Sequence, residues 1–428
     1  MGPIRNIRDV AEKHLCTGCG VCAYLEPEGI RMVDDLGQGR RPVVAEGAGA
    51  GEALAACPGK AMELPPFDPD SGHLKELWQG WGPILELWEG YASDPEIRLA
   101  GSSGGAATAL SLFALEEGRS SGVLHTGARR DVPYLNETIR SQSREQLMAA
   151  SGSRYAPASP CDGLQQIEDG VGKSVFVGKP CDAAALNKAE VLRPALAAKV
   201  DVSIAIFCAG APSTEGTLEM ARQLGVPQSD RIDSVRYRGN GWPGMAVVRG
   251  KGSDGRQVSG ELTYAESWGR ILQKFRPWRC YSCADHTGEL ADLSVGDPWY
   301  RDIPKGEPGR SLILVRTERG REFLHAAMQA GALTLEKAEP HILPDSQINL
   351  LHTRGAVWGR NWACRLLGVA APKYSRMGTG KTWLQDLSFK QRAQAFYGTF
   401  KRVFTKRLYK RRPVVPFDDN ADDLEGQG

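Results

Sequence analysis

The sequence predicts a mixed α+β protein made of a small cysteine-rich N-terminal domain, a larger α/β body and a helical C-terminal extension. Three observations carry this reading. The run CTGCGVC sets Cys16, Cys19 and Cys22 at C-x-x-C-x-x-C spacing. Through the middle of the chain, apolar β-branched runs (KSVFVG, VDVSIAIFC, MAVVRG, SLILVRT) interleave with helical patterns (AATALSLFALEEG, REFLHAAMQAGA), the signature of an α/β or α+β body. Toward the end, Lys and Arg accumulate through Gln391–Arg412, and the chain closes on PVVPFDDNADDLEGQG, whose composition predicts disorder. The expected divisions are 1–68, 69–170 (a Trp-rich connector and the first part of the body), 171–345 (its second part, with a second cysteine site) and 346–428 (basic helical extension and acidic tail).

Composition excludes several classes. At 428 residues the chain can bury two or three cores, and 41% hydrophobic with 24% charged residues is ordinary for a globular protein. A net charge of +2 gives no global reason to bind nucleic acid. The N-terminal MGPIRNIRDVAEKHLC has no apolar core, so no secretory signal is expected, and no run of about twenty apolar residues offers a membrane span. Ten cysteines in such a chain favour a reducing, cytoplasmic setting and metal binding over disulfides.

The N-terminal domain reads as a hairpin, IRMVDDLGQGRRPVV, followed by a short helix, GEALAACPG. In two-cluster ferredoxins the fourth cysteine of each run, the one before proline, ligates the other cluster. A protein keeping one cluster keeps one C-x-x-C-x-x-C and one distant Cys-Pro, and Cys57-Pro58 supplies it. Cys16, Cys19, Cys22 and Cys57 therefore read as one 4Fe-4S site. Zinc, the alternative four-thiolate metal, usually takes two separate C-x-x-C knuckles.

Beyond the connector LKELWQGWGPILELWEGYASDPE, the loop LAGSSGGAATALSLFAL places Ser102, Ser103, Gly104 and Gly105 before a helix beginning near Thr108. Small residues there let backbone N–H groups approach a phosphate; an ordinary serine N-cap is the other reading. Cys181 follows one apolar strand and Cys208 ends the next, so consecutive parallel strands would bring both to one sheet edge. With the knuckle Cys280 and Cys283 they form a second four-thiolate set, open to 4Fe-4S or zinc, with Cys161 in reserve. Cys364 reads as a buried thiol in an apolar helix.

Taken in order, CTGCGVC with its distant CP, SSGGAATAL, GSRYAPA, GKPCDAAAL, FCAG, YRGNGWPG, CYSCADHTGELADLSVGD and GRSLILVRT resemble the coenzyme F420 hydrogenase/dehydrogenase beta-subunit family over roughly residues 10 to 340. The resemblance implies FAD and one or more 4Fe-4S clusters, two on the present cysteine count. It gives Ser102, Ser103, Gly104, Gly105 and Thr108 a flavin-binding role and adds Arg154, Tyr155, Lys179 and Pro180 to the pocket lining. A cation near the pyrimidine end would stabilise an anionic reduced flavin. Lys179, Arg238 and Trp242 are the catalytic candidates, although a salt bridge with a packed indole accounts equally for the Arg238–Trp242 loop.

The expected activity is an iron–sulfur flavoprotein oxidoreductase passing electrons from a ferredoxin-like donor to a small organic acceptor, of deazaflavin type or from a sugar or polysaccharide pathway. An electron-transfer subunit docking to a separate catalytic partner and a non-catalytic metal-stabilised module are the alternatives. The basic stretch 391–412 reads as an amphipathic helix suited to anionic lipid at the inner membrane face, to a partner, or simply to water. Oligomeric state is left open.

Overall fold

The computed structural model describes residues 2–417 except 301, 303 and 305. Its centre is an eight-stranded mixed sheet formed by β1 (Glu86–Ala92), β2 (Gly122–Ala128), β3 (Asn136–Ser141), β4 (Ser174–Gly178), β5 (Val200–Ile206), β6 (Leu293–Gly296), β7 (Ser311–Val315) and β8 (Leu333–Lys337), in the order β8-β1-β7-β6-β5-β4-β2-β3. The four strands β2, β4, β5 and β6 are parallel, while β3 and β7 flank them antiparallel. The α+β expectation holds, and half of the expected connector proves to be strand β1, deep in the sheet.

Alternation along each strand decides what lies on each face. Val123, Val175, Ile313 and Val315 pack with helices α1 (Ala106–Glu116) and α3 (Glu318–Gln329), where Phe113 meets Phe323 edge-on at 5.5 Å. Their neighbours Leu124 and Phe176 face the other way, onto α2 (Pro180–Leu192) and onto Val21, Tyr24 and Leu25 from the N-terminal segment. Leu312 and Leu314 meet Leu343 and Leu351 of the long helix α4 (Ile342–Leu366). A second, three-stranded antiparallel sheet (Ile232–Arg236, Ala246–Lys251, Gln257–Leu262) sits beside this body.

The expected hairpin is present as Ile30–Asp35 paired with Gly39–Val44, and the short helix spans Glu52–Ala56. In the extension, α5 (Thr379–Gln385) and α6 (Phe389–Thr405) pack on α4. The basic helix is shorter than expected: it ends at Thr405, and Arg407 takes a positive φ of 51°. The expected disorder of PVVPF is corrected too. Gln38 donates to the Pro413 carbonyl at 3.0 Å, and the Val415 and Phe417 amides donate to Asp35 and to the Asp34 carbonyl at 3.0 and 2.7 Å. Composition could not show that the hairpin offers buried acceptors to that strand. The acidic tail from 418 on lies outside the described residues.

Candidate functional site

The carboxyl ends of the parallel strands converge on two adjoining cavities, as expected for a sheet of this kind. From β4 the chain runs into Lys179, Pro180 and Cys181 at the start of α2; from β5 into Cys208; from β6 into Asp297. The larger cavity, about 610 Å³, is lined by Ser102, Ser103, Gly105, Thr108, Arg154, Tyr155 and Lys179, among others. The smaller is lined by Cys16, Cys181, Cys208, Cys280, Cys283 and Pro180. Lys179 and Cys208 line both, so one opens onto the other.

The SSGG loop is shaped by close approach. A Cβ on Gly104 would stand 2.6 Å from the Gly90 carbonyl oxygen and 2.8 Å from the Ser311 nitrogen. Gly105 has a φ of 75° and is itself the N-cap of α1, with no side chain capping the helix, so the serine N-cap reading does not apply. Ser102 accepts from the Ser153 amide at 2.6 Å. Gly104 is absent from the cavity lining; its N–H is spent on Ser311 Oγ at 2.8 Å.

Arg154 borders the cavity, but its guanidinium is committed elsewhere: Nε to Asn136 and Nη2 to the Pro133 carbonyl at 2.9 Å. It ties loops together and has no donor left of the kind a flavin would need, contrary to expectation. Trp242 also lies outside the cavity lining. Its indole donates to Asp297 at 2.8 Å and its ring lies 4.6 Å from Trp299. Arg238 is 3% exposed and grips Asp297 through both Nη atoms at 2.7 and 3.1 Å. It also donates to the Pro243 carbonyl, the Tyr155 hydroxyl and the Ser102 carbonyl. Salt bridge and packed indole are thus both present, and together they form one wall with Tyr264, stacked on Trp299 at 5.5 Å.

Lys179 is buried, with Nζ 2.6 Å from Asp182 and 3.2 Å from the Ala158 carbonyl. Burial opposes its charge, but the Asp182 carboxylate prevails and lifts its pKa above the ordinary lysine value. His125, on β2, lines the cavity and shares a 2.8 Å hydrogen bond with Ser141. Burial lowers its pKa to about 4. An unfolded histidine titrates near 6.5, so between the two values the unfolded state holds the extra proton and stability falls as pH falls. The loss amounts to at most about 3 kcal/mol. His125→Gln is expected to flatten the unfolding midpoint between pH 6.5 and 4, measured by thermal melts against the parent.

The N-terminal thiols gather as expected. Cys22 interacts electrostatically with Cys19, Cys16 and Cys57, and burial raises the pKa of Cys19, Cys22 and Cys57. Gly18 and Gly20 have φ of 76° and 93°, and a Cβ on Gly20 would stand 2.6 Å from the Asp162 nitrogen. At the second set, Cys181 interacts with Cys208 and Cys283, and Cys208 with Cys280. Burial pushes Cys208 up to about 12 and Cys283 up to about 11. Among the described residues no three His, Cys, Asp or Glu side chains converge closely enough to hold a single metal ion. Cys161 is fully buried between the sets, its N–H on the Cys19 carbonyl at 2.9 Å and its thiol 3.4 Å from the Asp182 carbonyl. Cys364 lies apart, packed on Val369 and Val403.

Two residues missed in the sequence matter here. Arg279 is 2% exposed in the cysteine cavity, with Nη2 on the Pro58 carbonyl at 3.0 Å and with Nε and Nη1 lacking partners. His286 donates Nδ1–H to the Cys208 carbonyl at 2.8 Å, leaving Nε2 unpartnered in the same cavity. Adjacency to Cys280 and Cys283 was the only sequence signal for either.

Two halves of one family model match the chain. The half described as "Coenzyme F420 hydrogenase/dehydrogenase, beta subunit N-term" matches residues 87–165, and the half for the C terminus of the same polypeptide matches 171–341. CTGCGVC and Cys57 fall outside both, so the models cover less of the N-terminus than the motif resemblance did. The chain is 24% identical over 349 residues to the coenzyme F420-dependent sulfite reductase of Methanocaldococcus jannaschii, 78% of this chain and 49% of that protein. It thus spans about half of that relative's length. It is 26% identical to the coenzyme F420 hydrogenase subunit beta of Methanococcus voltae, over 56% of this chain and 80% of that one. A chain of the F420-reducing nickel–iron hydrogenase complex of Methanosarcina barkeri shares the fold, with a TM-score of 0.51, 21% identity, and coverage of 66% and 94% respectively.

Proposed function

Because this chain belongs to the coenzyme F420 hydrogenase/dehydrogenase beta-subunit family, we propose that it is an iron–sulfur flavoprotein oxidoreductase carrying electrons from a ferredoxin-like donor to a small organic acceptor. The observation that carries this reading is the shared wall of the two cavities: Lys179 and Cys208 border both the thiol-lined space and the larger one. FAD in the larger cavity and 4Fe-4S clusters on the thiols would couple two-electron exchange with the acceptor to one-electron exchange with the donor.

The residues fit these groups. A buried guanidinium without a carboxylate is costly unless an anion faces it. Arg279, with two unpartnered N–H groups among Cys181, Cys280 and Cys283, supplies such a cation to an anionic thiolate-bound centre. A cluster spreads its four thiolates over the corners of a cage, so thiols too far apart for one ion suit it better than they suit zinc. The larger cavity lies within the roughly 300–1,000 Å³ typical of ligand sites, and the start of α1 offers free N–H groups. Lys179 would hold its proton at Nζ beside the isoalloxazine, with Asp182 keeping it charged. Arg238 and Asp297 orient the SSGG loop, and the Trp242–Trp299–Tyr264 wall excludes water.

Anaerobically purified protein is expected to show a flavin spectrum over broad cluster absorption; colourless, zinc-containing protein would sink the proposal. Cys57→Ala is expected to lower the iron content by roughly half, one of two clusters on this assignment, and unchanged iron would remove Cys57 from it. The relative's designation as a hydrogenase beta subunit favours a second reading, transfer to a separate catalytic partner. Photoreduced protein reoxidised by a deazaflavin or a sugar-pathway acceptor alone supports the first reading, and reoxidation only through another protein supports the second.

A further inference from the structure

The charge of the chain is divided along its length. Residues 346–417 hold fifteen Lys and Arg against one acidic residue, Asp386, a net of +14, whereas the whole chain is +2, so the remainder carries −12. Three of these cations are neutralised locally: Arg354 by Glu289, Arg376 by Glu63, and Arg411 by Asp9 and Glu12. Along α6 the buried positions Ala395, Thr399 and Val403 are spaced every four residues and face the body. The outward stripe reads Lys390, Gln394, Tyr397, Lys401, Phe404, at the three-to-four spacing of one helix face. Its rings stand in solvent, Tyr397 at 70% and Phe404 at 60% exposure, with Phe389 at 82% just ahead of them. A second stripe, Trp358, Trp362 and Leu366, is exposed at i, i+4, i+8 on α4.

We propose that α6 lies on an anionic lipid bilayer, with Phe389, Tyr397 and Phe404 entering the headgroup boundary and Lys390 and Lys401 meeting lipid phosphates. Alternating rings and cations on one convex helix suit an interfacial anchor, where the hydrocarbon stems of lysine lie along the apolar side while the ammonium stays at the headgroups. A second copy of this chain would set +14 against +14, which charge repulsion disfavours. The proposal needs no bound cofactor, so it can fail while the redox reading stands.

The test is co-sedimentation of the full-length, anaerobically purified protein with vesicles of phosphatidylcholine alone or mixed with phosphatidylglycerol. The expected result is binding only to the mixed vesicles, reversed by salt. Lys390→Gln/Lys401→Gln is expected to weaken that binding about 30-fold, and Tyr397→Ser/Phe404→Ser to weaken it as well, with the absorption spectrum of each variant unchanged as the folding control. No binding by the parent at low salt, or equal binding by the lysine variant, overturns the proposal. So does a parent that gel-filters as a dimer which Tyr397→Ser/Phe404→Ser converts to a monomer, and so does charge-dependent capture of an acidic ferredoxin without vesicle binding.

Discussion

Asp297→Ala is expected to empty the larger cavity of flavin and to lower the unfolding midpoint sharply. The carboxylate holds both Nη atoms of Arg238 and the Trp242 indole. Removing it leaves a guanidinium, 3% exposed, with no counter-charge, and breaking a buried pair from one side costs about 3–5 kcal/mol. The Asp297 side chain is itself 18% exposed, so the lower end of that range applies, since water can reach the vacated space. The damage reaches the site because Arg238 also bonds the Ser102 carbonyl and the Tyr155 hydroxyl. Flavin content after gel filtration, read beside the denaturant midpoint, checks both halves. Asp297→Asn retains acceptors for the indole and for one Nη, and is expected to fall between parent and alanine variant. Full flavin occupancy in Asp297→Ala would remove Arg238 and its partner from the machinery.

Arg279→Met is expected to make the second cluster harder to reduce. A cation beside an anionic centre stabilises its more negative, reduced form. A unit charge roughly 8 Å away at an effective dielectric of ~20 contributes about 2 kcal/mol, or about 90 mV for a one-electron couple. Arg279→Lys keeps the charge and is expected to keep most of the potential. Redox titration followed by electron paramagnetic resonance measures the shift, and a midpoint unchanged in Arg279→Met would show that the guanidinium serves only the fold. Loss of iron in the methionine variant but not in the lysine variant would support the same role for the charge.

Much of the architecture was readable because it depends on local periodicity. β-branched runs such as SVFVG and VDVSIAI became β4 and β5, and their parallel pairing carried Lys179, Cys181 and Cys208 to one edge. Cys57 was found from a rule about ligand exchange between clusters, and the chain folds it back beside Cys16 and Cys22. Other features escaped because nothing local encodes them. The acceptors of Arg154 lie 18 to 81 residues away and are mostly backbone carbonyls, a bonding pattern with no sequence signature. The importance of Asp297 depends on a guanidinium 59 residues upstream. Arg279 looks like any basic residue beside a knuckle until its burial is known.

The terminal segments impose an order of events. Ala61–Glu63 pairs in parallel with Lys373–Ser375, the Arg412 amide reaches the Glu12 carbonyl at 2.9 Å, and the Phe417 amide reaches the Asp34 carbonyl. The first thiol-bearing segment to leave the ribosome is therefore fastened by some of the last residues to be made. At roughly 5–20 residues per second, about 350 intervening residues leave Cys16, Cys19, Cys22 and Cys57 without that clasp for roughly 20 to 70 seconds. Iron delivery to this end of the protein thus has a window during synthesis in which the thiols are more open than in the finished chain.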